Sequence, residues 1–246
     1  MEKVIYVLWG DDDLDRPSLR KHLLDDVAPQ LLELGVQGLS MNIDDEDADV
    51  AGPVQQPAHE DPHLATISVW VDAYDRRRAP VERAIHGVGL RSHGYVVSES
   101  IYTDYGDTRW SGPRDWSDGQ RSPGILTVAL LRRPADYDQL AWIRHWHGVQ
   151  SPESAEIQPR TRYVRNAVVF PVDDNAPVVH GIVDEAWPSR QHVEDPMLFY
   201  CAGSDPARCR ANIERMIRSV TGFLDLDELR SNTMSEYLLK TPSAGR

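Results

Sequence analysis

Two short segments, one in each half of the 246-residue chain, close a similar series of elements with nearly the same residues. The first is VSESIY at positions 97–102, and the second is MSEYLL at positions 234–239. In both halves the segment follows a pattern typical of a strand, a helix, two strands and a further helix. The order βαββαβ therefore occurs twice, and we interpret the chain as one small unit that has been duplicated.

The individual elements follow from hydrophobic periodicity. Residues 4–9 form an unbroken run of apolar side chains, which predicts a strand buried on both faces. From 17 to 34 apolar residues recur every three or four positions, which predicts an amphipathic helix that ends at Gly35. Strands are also predicted at 36–43, 65–71 and 95–102, with a short helix at 81–85. The second unit is predicted at 125–131, 136–147, 161–170, 178–187, 207–221 and 233–240.

The arrangement of the two units follows from the need to cover their sheets. A four-stranded antiparallel sheet with two helices on one face leaves its other face bare, and an apolar bare face must be covered. We therefore predict an α+β fold in which two ferredoxin-like βαββαβ repeats pack sheet to sheet as an intrachain α+β barrel. The predicted boundaries are 1–105 for the first repeat, 106–123 for a linker rich in glycine and proline, and 124–246 for the second repeat.

Composition excludes several classes of partner. The formal net charge is −13, so nucleic acid is not an expected partner, because an acidic protein repels the phosphate backbone. No apolar run approaches the roughly 20 residues that a membrane-spanning helix needs, so no span is expected. The start of the chain lacks the features of a signal peptide, which predicts a cytoplasmic location.

Neither the cysteines nor the acidic clusters suggest a cofactor or metal. Cys201 and Cys209 form no Cys-x-x-Cys motif and are predicted to be free thiols. The acidic segment 44–49 is predicted to be a solvated loop, and it lacks the alternating ligands and central glycine of a calcium-binding loop. We therefore expect no metal site.

A set of motifs in the second half resembles the EthD family. The matched features are a strand at 125–131, the Arg133-Pro134 turn, a helix with an aromatic-x-x-x-Trp pattern that ends in histidine, an RYVxN strand at 162–166 and a GIxDExW strand at 181–187. Their order and spacing, more than any single motif, carry the resemblance.

The resemblance places the chain in the dimeric α+β barrel superfamily. Members usually assemble two such units as separate subunits, so this chain resembles a covalent pseudo-dimer, which could form a further homodimer. The first half has DDVAP at 25–29 where the second has HWHG at 145–148, so it lacks the histidine that the family carries. We therefore expect one dominant pocket, in the second half.

His147 is the candidate catalytic residue. Leu140, Ile143 and His147 lie three and four positions apart, which predicts that the imidazole faces the sheet. His145 lies about 200 degrees round the helix from His147, so the pair is not expected to share a metal ion. One reading makes His147 a core residue bonded to a backbone carbonyl, Asp184 or Glu185. The other makes it a general acid or base at the mouth of an apolar cavity.

The residues expected to surround His147 come from neighbouring elements. Tyr163 and Glu185 are candidate partners and substrate-binding residues, although the sequence does not decide which sheet face they occupy. Trp146 and Trp187 are further candidate substrate-binding residues, and the alternative for Trp146 is packing against the last helix. Glu99 and Glu236 are expected to face solvent or to pair with basic residues of an adjacent strand, Arg162 or Arg165 for Glu236.

These observations support three functional hypotheses. The sequence contains no nucleophile elbow, phosphate-binding glycine loop or dinucleotide fingerprint. The resemblance implies that the pocket of the second half binds a small apolar or aromatic molecule, with cofactor-free proton transfer of a cyclase, isomerase or oxygenase type at His147. The second hypothesis is a non-catalytic binding or accessory protein. The third is a haem-binding relative in which His147 is the axial ligand.

Overall fold

The structure, a computed structural model, describes residues 1–10, 14–52 and 61–242. Its strands are β1 Glu2–Trp9, β2 Gly38–Ile43, β3 His63–Val71, β4 Arg91–Thr103, β5 Ile125–Leu131, β6 Arg162–Pro171, β7 Gly181–Trp187 and β8 Arg230–Lys240. All eight pair antiparallel and close one barrel in the order β1-β3-β2-β8-β5-β7-β6-β4.

Helices surround this barrel. They are α1 Arg16–His22, α2 Ala28–Glu33, α3 Tyr74–His86, α4 Gln139–His145, α5 Ser151–Ile157, α6 Gln191–Glu194, α7 Pro196–Phe199 and α8 Pro206–Thr221. A π-helical turn joins α1 to α2 at Leu23–Val27, and another joins α4 to α5 at Trp146–Gln150. Such turns widen a helix locally and occur often at functional sites.

The predicted mixed α+β class is confirmed. The two halves do not merely pack face to face, because main-chain hydrogen bonds also join their sheets. Strands of the first half lie in the order β4-β1-β3-β2, and those of the second half in the order β8-β5-β7-β6. Main-chain ladders connect β2 to β8 and β4 to β6. The two groups of four strands therefore form one continuous sheet without a free edge.

Three elements differ from the predicted pattern. The helix expected over 81–85 extends from Tyr74 to His86, because its first two turns present charged side chains outward and bury few apolar ones. The short helices α6 and α7 were not predicted. They are four residues each, too short to show a hydrophobic period.

The inside of the barrel has an apolar part and a polar part. Strands of both halves contribute the apolar part, which includes Ile5, Tyr95, Val128 and Met234. In the polar part, the Lys3 ammonium donates to Glu99 at 2.7 Å and to Asn166 at 2.9 Å. Asn166 in turn donates to the Asp184 carboxylate, whose pKa is raised by burial.

A second buried ion pair crosses the barrel. Glu236 is 4% exposed and accepts from Arg162 at 2.9 Å and from the Tyr105 hydroxyl at 2.8 Å. Glu236 was expected to face solvent or to pair with a basic residue of an adjacent strand, and it does neither. Arg162 is the partner, but β6 and β8 are not neighbours in the sheet, so the pair spans the barrel interior.

The acidic segment 44–49 is not uniformly solvated, which corrects the sequence prediction. Asp45 has no exposed surface, and its carboxylate accepts from Ser235 Oγ at 2.6 Å and from the Tyr237 hydroxyl at 2.8 Å. Asp44 is 4% exposed and accepts from Asn232. The beginning of this acidic segment therefore secures the junction between β2 and β8.

The segment between β4 and β5 contains no helix or named strand. One isolated bridge joins Arg121 to Tyr237, and Trp116 packs edge-on against Tyr105 with ring centroids 4.8 Å apart. The linker is therefore held against the barrel. Both cysteines are free thiols, as predicted.

Two searches of the described residues gave negative results. None of the helices in the described ranges is long and apolar enough to cross a membrane. Within the same ranges, no group of three or more histidine, cysteine, aspartate or glutamate side chains is placed to hold a metal ion.

Candidate functional site

A cavity of about 270 Å³ lies in the second half, between the outer face of the sheet and α8. Strands β5 to β8 form one wall, and α8 with the chain that follows it forms the opposite wall. Its aromatic lining consists of Trp146, Tyr163, Phe199, Tyr200 and Phe223. Its polar lining consists of Gln150, Gln158, Tyr163, Glu185 and Ser231. An apolar cavity with a few convergent polar groups is the usual form of a small-molecule site.

The tryptophan wall of the cavity depends on a glycine in β7. Trp146 is buried and lies 5.1 Å from Trp142 between ring centroids. A Cβ atom on Gly181 would come within 2.9 Å of the Trp146 ring and 3.2 Å of the Trp142 ring. The glycine that opens the GIxDExW strand therefore makes room for both indoles. Trp142 also donates to the carbonyl of Phe223, just after α8.

Tyr163 lies at the centre of the polar side of the cavity. Its hydroxyl accepts from the Trp146 indole nitrogen at 3.0 Å and donates to Gln150 Oε1 at 3.4 Å. The side chain is 1% exposed, and burial raises the pKa of the phenol. Tyr163 is therefore a neutral, oriented phenol at physiological pH, which fixes the position of the indole beside it.

Arg160 fixes the orientation of Glu185. The guanidinium donates to Glu185 Oε1 at 2.6 Å and to Ser154 Oγ, and it lies 3.9 Å from the centre of the Tyr163 ring. The Arg160 side chain is 3% exposed and the Glu185 side chain 19%. A buried guanidinium that is itself held by a second hydrogen bond keeps the carboxylate oxygen it binds in place, so Glu185 is an ordered acceptor in the cavity wall.

The entrance is apolar. Ile217 of α8 and Leu226 of the following turn both line the cavity, and their side chains are 51% and 43% exposed. Lining residues that are also exposed mark where the cavity meets solvent. A ligand therefore enters between α8 and the turn Leu226–Glu228, past aliphatic side chains.

The stripe through Leu140, Ile143 and His147, which the sequence predicts to face the sheet, is buried only in part. Leu140 is 65% exposed, whereas Ile143 packs partly buried against the core and Nε2 of His147 is buried. Trp142, Trp146 and Gln150 are the buried positions. The face of the helix that packs on the sheet therefore runs through the two indoles, and Leu140 lies in the first turn of α4, where its side chain is exposed.

His147 lies beside the cavity and is not among the residues that line it. Its ring contacts the Trp146 ring with centroids 5.0 Å apart. Its Nε2 atom is buried and has no hydrogen-bond partner. Asp184 faces the barrel interior and Glu185 is held by Arg160, so neither carboxylate satisfies this nitrogen.

The imidazole of His147 is neutral at physiological pH. Burial, and then the nearby charge of Arg165, lower its pKa from 6.5 to about 4. Arg165 also donates to the carbonyl oxygen of His147 and to Ser100. The unpartnered Nε2 can therefore accept a proton or act as a hydrogen-bonding group, depending on its tautomer.

The structure brings together most of the predicted binding residues. Trp146, Tyr163 and Glu185 line the cavity. Trp187 stacks on the lining residue Phe199, with centroids 4.6 Å apart, and is itself fully buried. Sequence reasoning missed Arg160. Its position two residues before the RYVxN strand could have pointed to a role in the site. Its partner Glu185 lies 25 positions away, so no local pattern links the two residues.

The equivalent space in the first half is filled. The π-helical turn there carries Leu23 and Val27, which are buried in an aliphatic cluster with Leu31, Met41 and Ile67. The matching turn of the second half carries Trp146 and Gln150. In the described part of the first half, aliphatic packing therefore occupies the region that forms a cavity in the second.

The residues around His147 do not fit a haem. An axial ligand needs an open space beyond its nitrogen that is large enough for a porphyrin. Nε2 of His147 is buried, His147 does not line the cavity, and a volume of about 270 Å³ is too small for a porphyrin. We therefore derive no chemistry through haem.

Comparison with known proteins shows the fold alone. No protein-family model matches the chain, and no curated protein matches it. A solved structure of an anthrone oxidase-like protein is 14% identical, with a TM-score of 0.55 over 100% of this chain and 96% of that one. A monooxygenase-like protein from Lactobacillus acidophilus is 10% identical, with a TM-score of 0.47 over 97% and 96%. The chain therefore shares its overall fold, a closed eight-stranded barrel surrounded by helices, with the anthrone oxidase-like protein.

Proposed function

We propose that the cavity of the second half binds a small, largely apolar or aromatic molecule. The observation that carries this proposal is the cavity itself, in which five aromatic side chains surround the oriented acceptor Glu185. Protein interiors are close-packed, and packing alone does not account for a space of this size with an apolar entrance. A bound small molecule does account for it.

The lining also indicates the chemistry of the ligand. Glu185 Oε1 is occupied by Arg160, and the Gln150 and Gln158 amides add further polar groups. No cationic side chain is among the lining residues of this cavity. The site therefore favours a neutral molecule with a hydroxyl or N–H donor over a carboxylate or phosphate, because Arg160 is already paired with Glu185 and no lining cation is left for an anion.

Filling the cavity is expected to abolish ligand binding without unfolding the protein. Ala129 lies on β5 in the cavity wall, and leucine at this position projects three further carbon atoms into the space. With indole as the probe, we expect calorimetry to show at least about a 10-fold weaker Kd for Ala129→Leu, because the two groups occupy the same volume.

The matched control for this experiment is Ala207→Leu, the same substitution on the exposed first turn of α8. It should bind indole as the parent does. Equal indole affinity for Ala129→Leu and the parent, or no saturable binding to either, would contradict the proposal.

We also propose that the chain is an EthD-like tandem pseudo-dimer, with repeats at 1–105 and 124–246. The matching strand orders of the two halves and the matching π-helical turns support this proposal. The cavity of the second half and the aliphatic packing of the first support a division into one functional unit and one scaffold unit.

A second candidate function is proton transfer at His147, favoured by its buried and unpartnered Nε2 atom. In such a step the His147 side chain would first have to turn Nε2 towards the adjoining cavity. A C–H or O–H proton of the ligand would then pass to Nε2, leaving an enolate or phenolate on the ligand. A carbon acid such as anthrone, the compound named for the similar structure, provides a direct probe.

We expect His147→Gln to slow deuterium exchange at the anthrone methylene by about 10²- to 10⁴-fold, the usual contribution of a positioned acid or base. Indole affinity should not change, since His147 does not line the cavity. With a pKa of about 4, the parent exchange rate should stay constant above pH 5 and fall below pH 4. An unchanged rate in His147→Gln would leave ligand binding as the function.

A further inference from the structure

One end of the barrel contains a second cavity, of about 400 Å³, which shares no lining residue with the cavity of the second half. It lies where β1, β2 and β6 begin and β3, β4 and β8 end. We call it the mouth cavity. The side chains that define its chemistry are Trp70, Glu99, Tyr105, Arg114, Arg162 and Lys240. Strands of both halves and the linker therefore contribute to it.

The carboxylates of the mouth cavity are already occupied by internal donors. Glu99 accepts from the Lys3 ammonium through Oε1 and from the Trp70 indole through Oε2. Asp104 accepts from Arg162 and from the Tyr105 amide through Oδ1. Each of these carboxylates therefore already has a cationic partner, and a cationic ligand would have to compete with Lys3 and Arg162 for it.

The cations of the mouth cavity retain unused donors. Among the described residues, the Lys240 ammonium donates to the Val36 carbonyl at 2.7 Å, and two of its three N–H groups have no recorded acceptor. Arg114 donates to Thr241 and Asp118 through its terminal nitrogens, whereas its Nε atom is buried and has no partner. A buried donor without an acceptor is costly, and a ligand oxygen would satisfy it.

The remaining lining is aromatic and aliphatic. Trp70 is 7% exposed, with the Lys3 ammonium 4.5 Å from its ring centre on one side. Tyr105 is fixed by the edge-on contact with Trp116 and by its hydrogen bond to Glu236. Ile101, half exposed, and Leu238 complete an apolar surface. A flat apolar body can therefore pack here while its charged end meets Lys240 and Arg114.

We propose that the mouth cavity is a second binding site, which takes a small carboxylate on an aromatic or apolar body. Its carboxylate oxygens accept from Lys240 and from Arg114, and its body packs against Trp70 and Tyr105. This ligand differs in charge from the neutral molecule favoured by the cavity of the second half. The two sites are therefore separable by both probe and mutation.

The test uses benzoate, with benzamide as a neutral probe of the same shape, in calorimetric titrations of the full chain. We expect saturable benzoate binding that is at least about 10-fold tighter than benzamide binding, because a charge-assisted pair is lost with the neutral probe. Lys240→Met should weaken benzoate about 10-fold or more, and Lys240→Arg should restore most of the affinity. Arg114→Gln should weaken benzoate similarly.

Glu185→Gln and Ala129→Leu alter the other cavity and should leave benzoate affinity unchanged. Unchanged benzoate affinity in both Lys240→Met and Arg114→Gln, with thermal unfolding like the parent, would overturn the proposal. Loss of benzoate binding in Ala129→Leu would overturn it as well, by assigning the probe to the other cavity. Failure of indole to bind would bear only on the cavity of the second half.

Discussion

Replacing Arg162 with methionine is expected to lower the free energy of unfolding by about 3–5 kcal/mol, the usual cost of leaving one buried ion without its partner. Arg162 is 13% exposed at the side chain and pairs with Glu236, which is 4% exposed. Methionine keeps much of the length and volume of arginine. The loss of stability therefore measures the removal of the charge and its hydrogen bonds rather than lost packing. Urea unfolding at pH 7 measures this difference directly.

The electrostatics of the pair explain why the effect is large. Burial works against the charged guanidinium, but the charges of Glu236 and its neighbours outweigh it and raise the pKa of Arg162. Removing the guanidinium leaves the Glu236 carboxylate inside the barrel with the Tyr105 hydroxyl as its remaining strong donor. The carboxylate must then stay charged without compensation or take up a proton.

A double variant separates the lost pair from lost packing. Arg162→Met combined with Glu236→Gln removes both charges, and it should recover a large part of the stability that Arg162→Met loses. If Arg162→Met costs less than about 1 kcal/mol, or if the double variant is no more stable than the single one, the pair does not act as proposed.

The sequence was sufficient to predict the α+β class and the positions along the chain of the strands that form the barrel. Unbroken apolar runs such as 4–9 and 125–131 identify strands buried on both faces, and both runs lie in the closed barrel. The strand pairings between the two halves, which close the barrel, could not be predicted from the sequence. The hydrogen bonds from Ser235 and Tyr237 to Asp45 join residues about 190 positions apart, and no local pattern encodes them.

The candidate site was predicted in part for similar reasons. Trp146, Tyr163 and Glu185 carry a recognisable motif order, and all three line the cavity. The stripe through Leu140, Ile143 and His147 is buried only in part, because Trp142 and Trp146 occupy the face of the helix that packs on the sheet. The contribution of α8 and Leu226 to the entrance depends on tertiary packing, which a single sequence does not reveal.

Acidification is expected to destabilise the protein through His63, a residue of the barrel that the sequence did not single out. His63 is 1% exposed, and its Nε2–H donates to the Val128 carbonyl at 3.0 Å. Burial lowers its pKa from 6.5 to about 4, despite the opposing effect of this hydrogen bond. The ring is therefore neutral in the folded protein throughout the physiological range.

The sign of the effect follows from which state binds the proton. Between pH 6.5 and pH 4 the unfolded chain protonates this histidine and the folded chain does not. Neutral His63 therefore contributes its full stabilisation to the free energy of unfolding above pH 6.5. This contribution is lost as the pH falls towards 4, and the total loss is about 3 kcal/mol. Asp44 and Asp184 act in the opposite direction, because burial raises their pKa values.

The variant His63→Asn isolates this contribution, since asparagine provides an N–H donor that does not titrate. Urea unfolding of the parent and the variant should be compared at pH 7.5 and pH 4.5. The stability difference between them should shift in favour of the variant by between about 2 and 3 kcal/mol over this interval. Other groups titrate in both proteins and cancel, so a difference that stays constant with pH would show that His63 does not titrate as its burial requires.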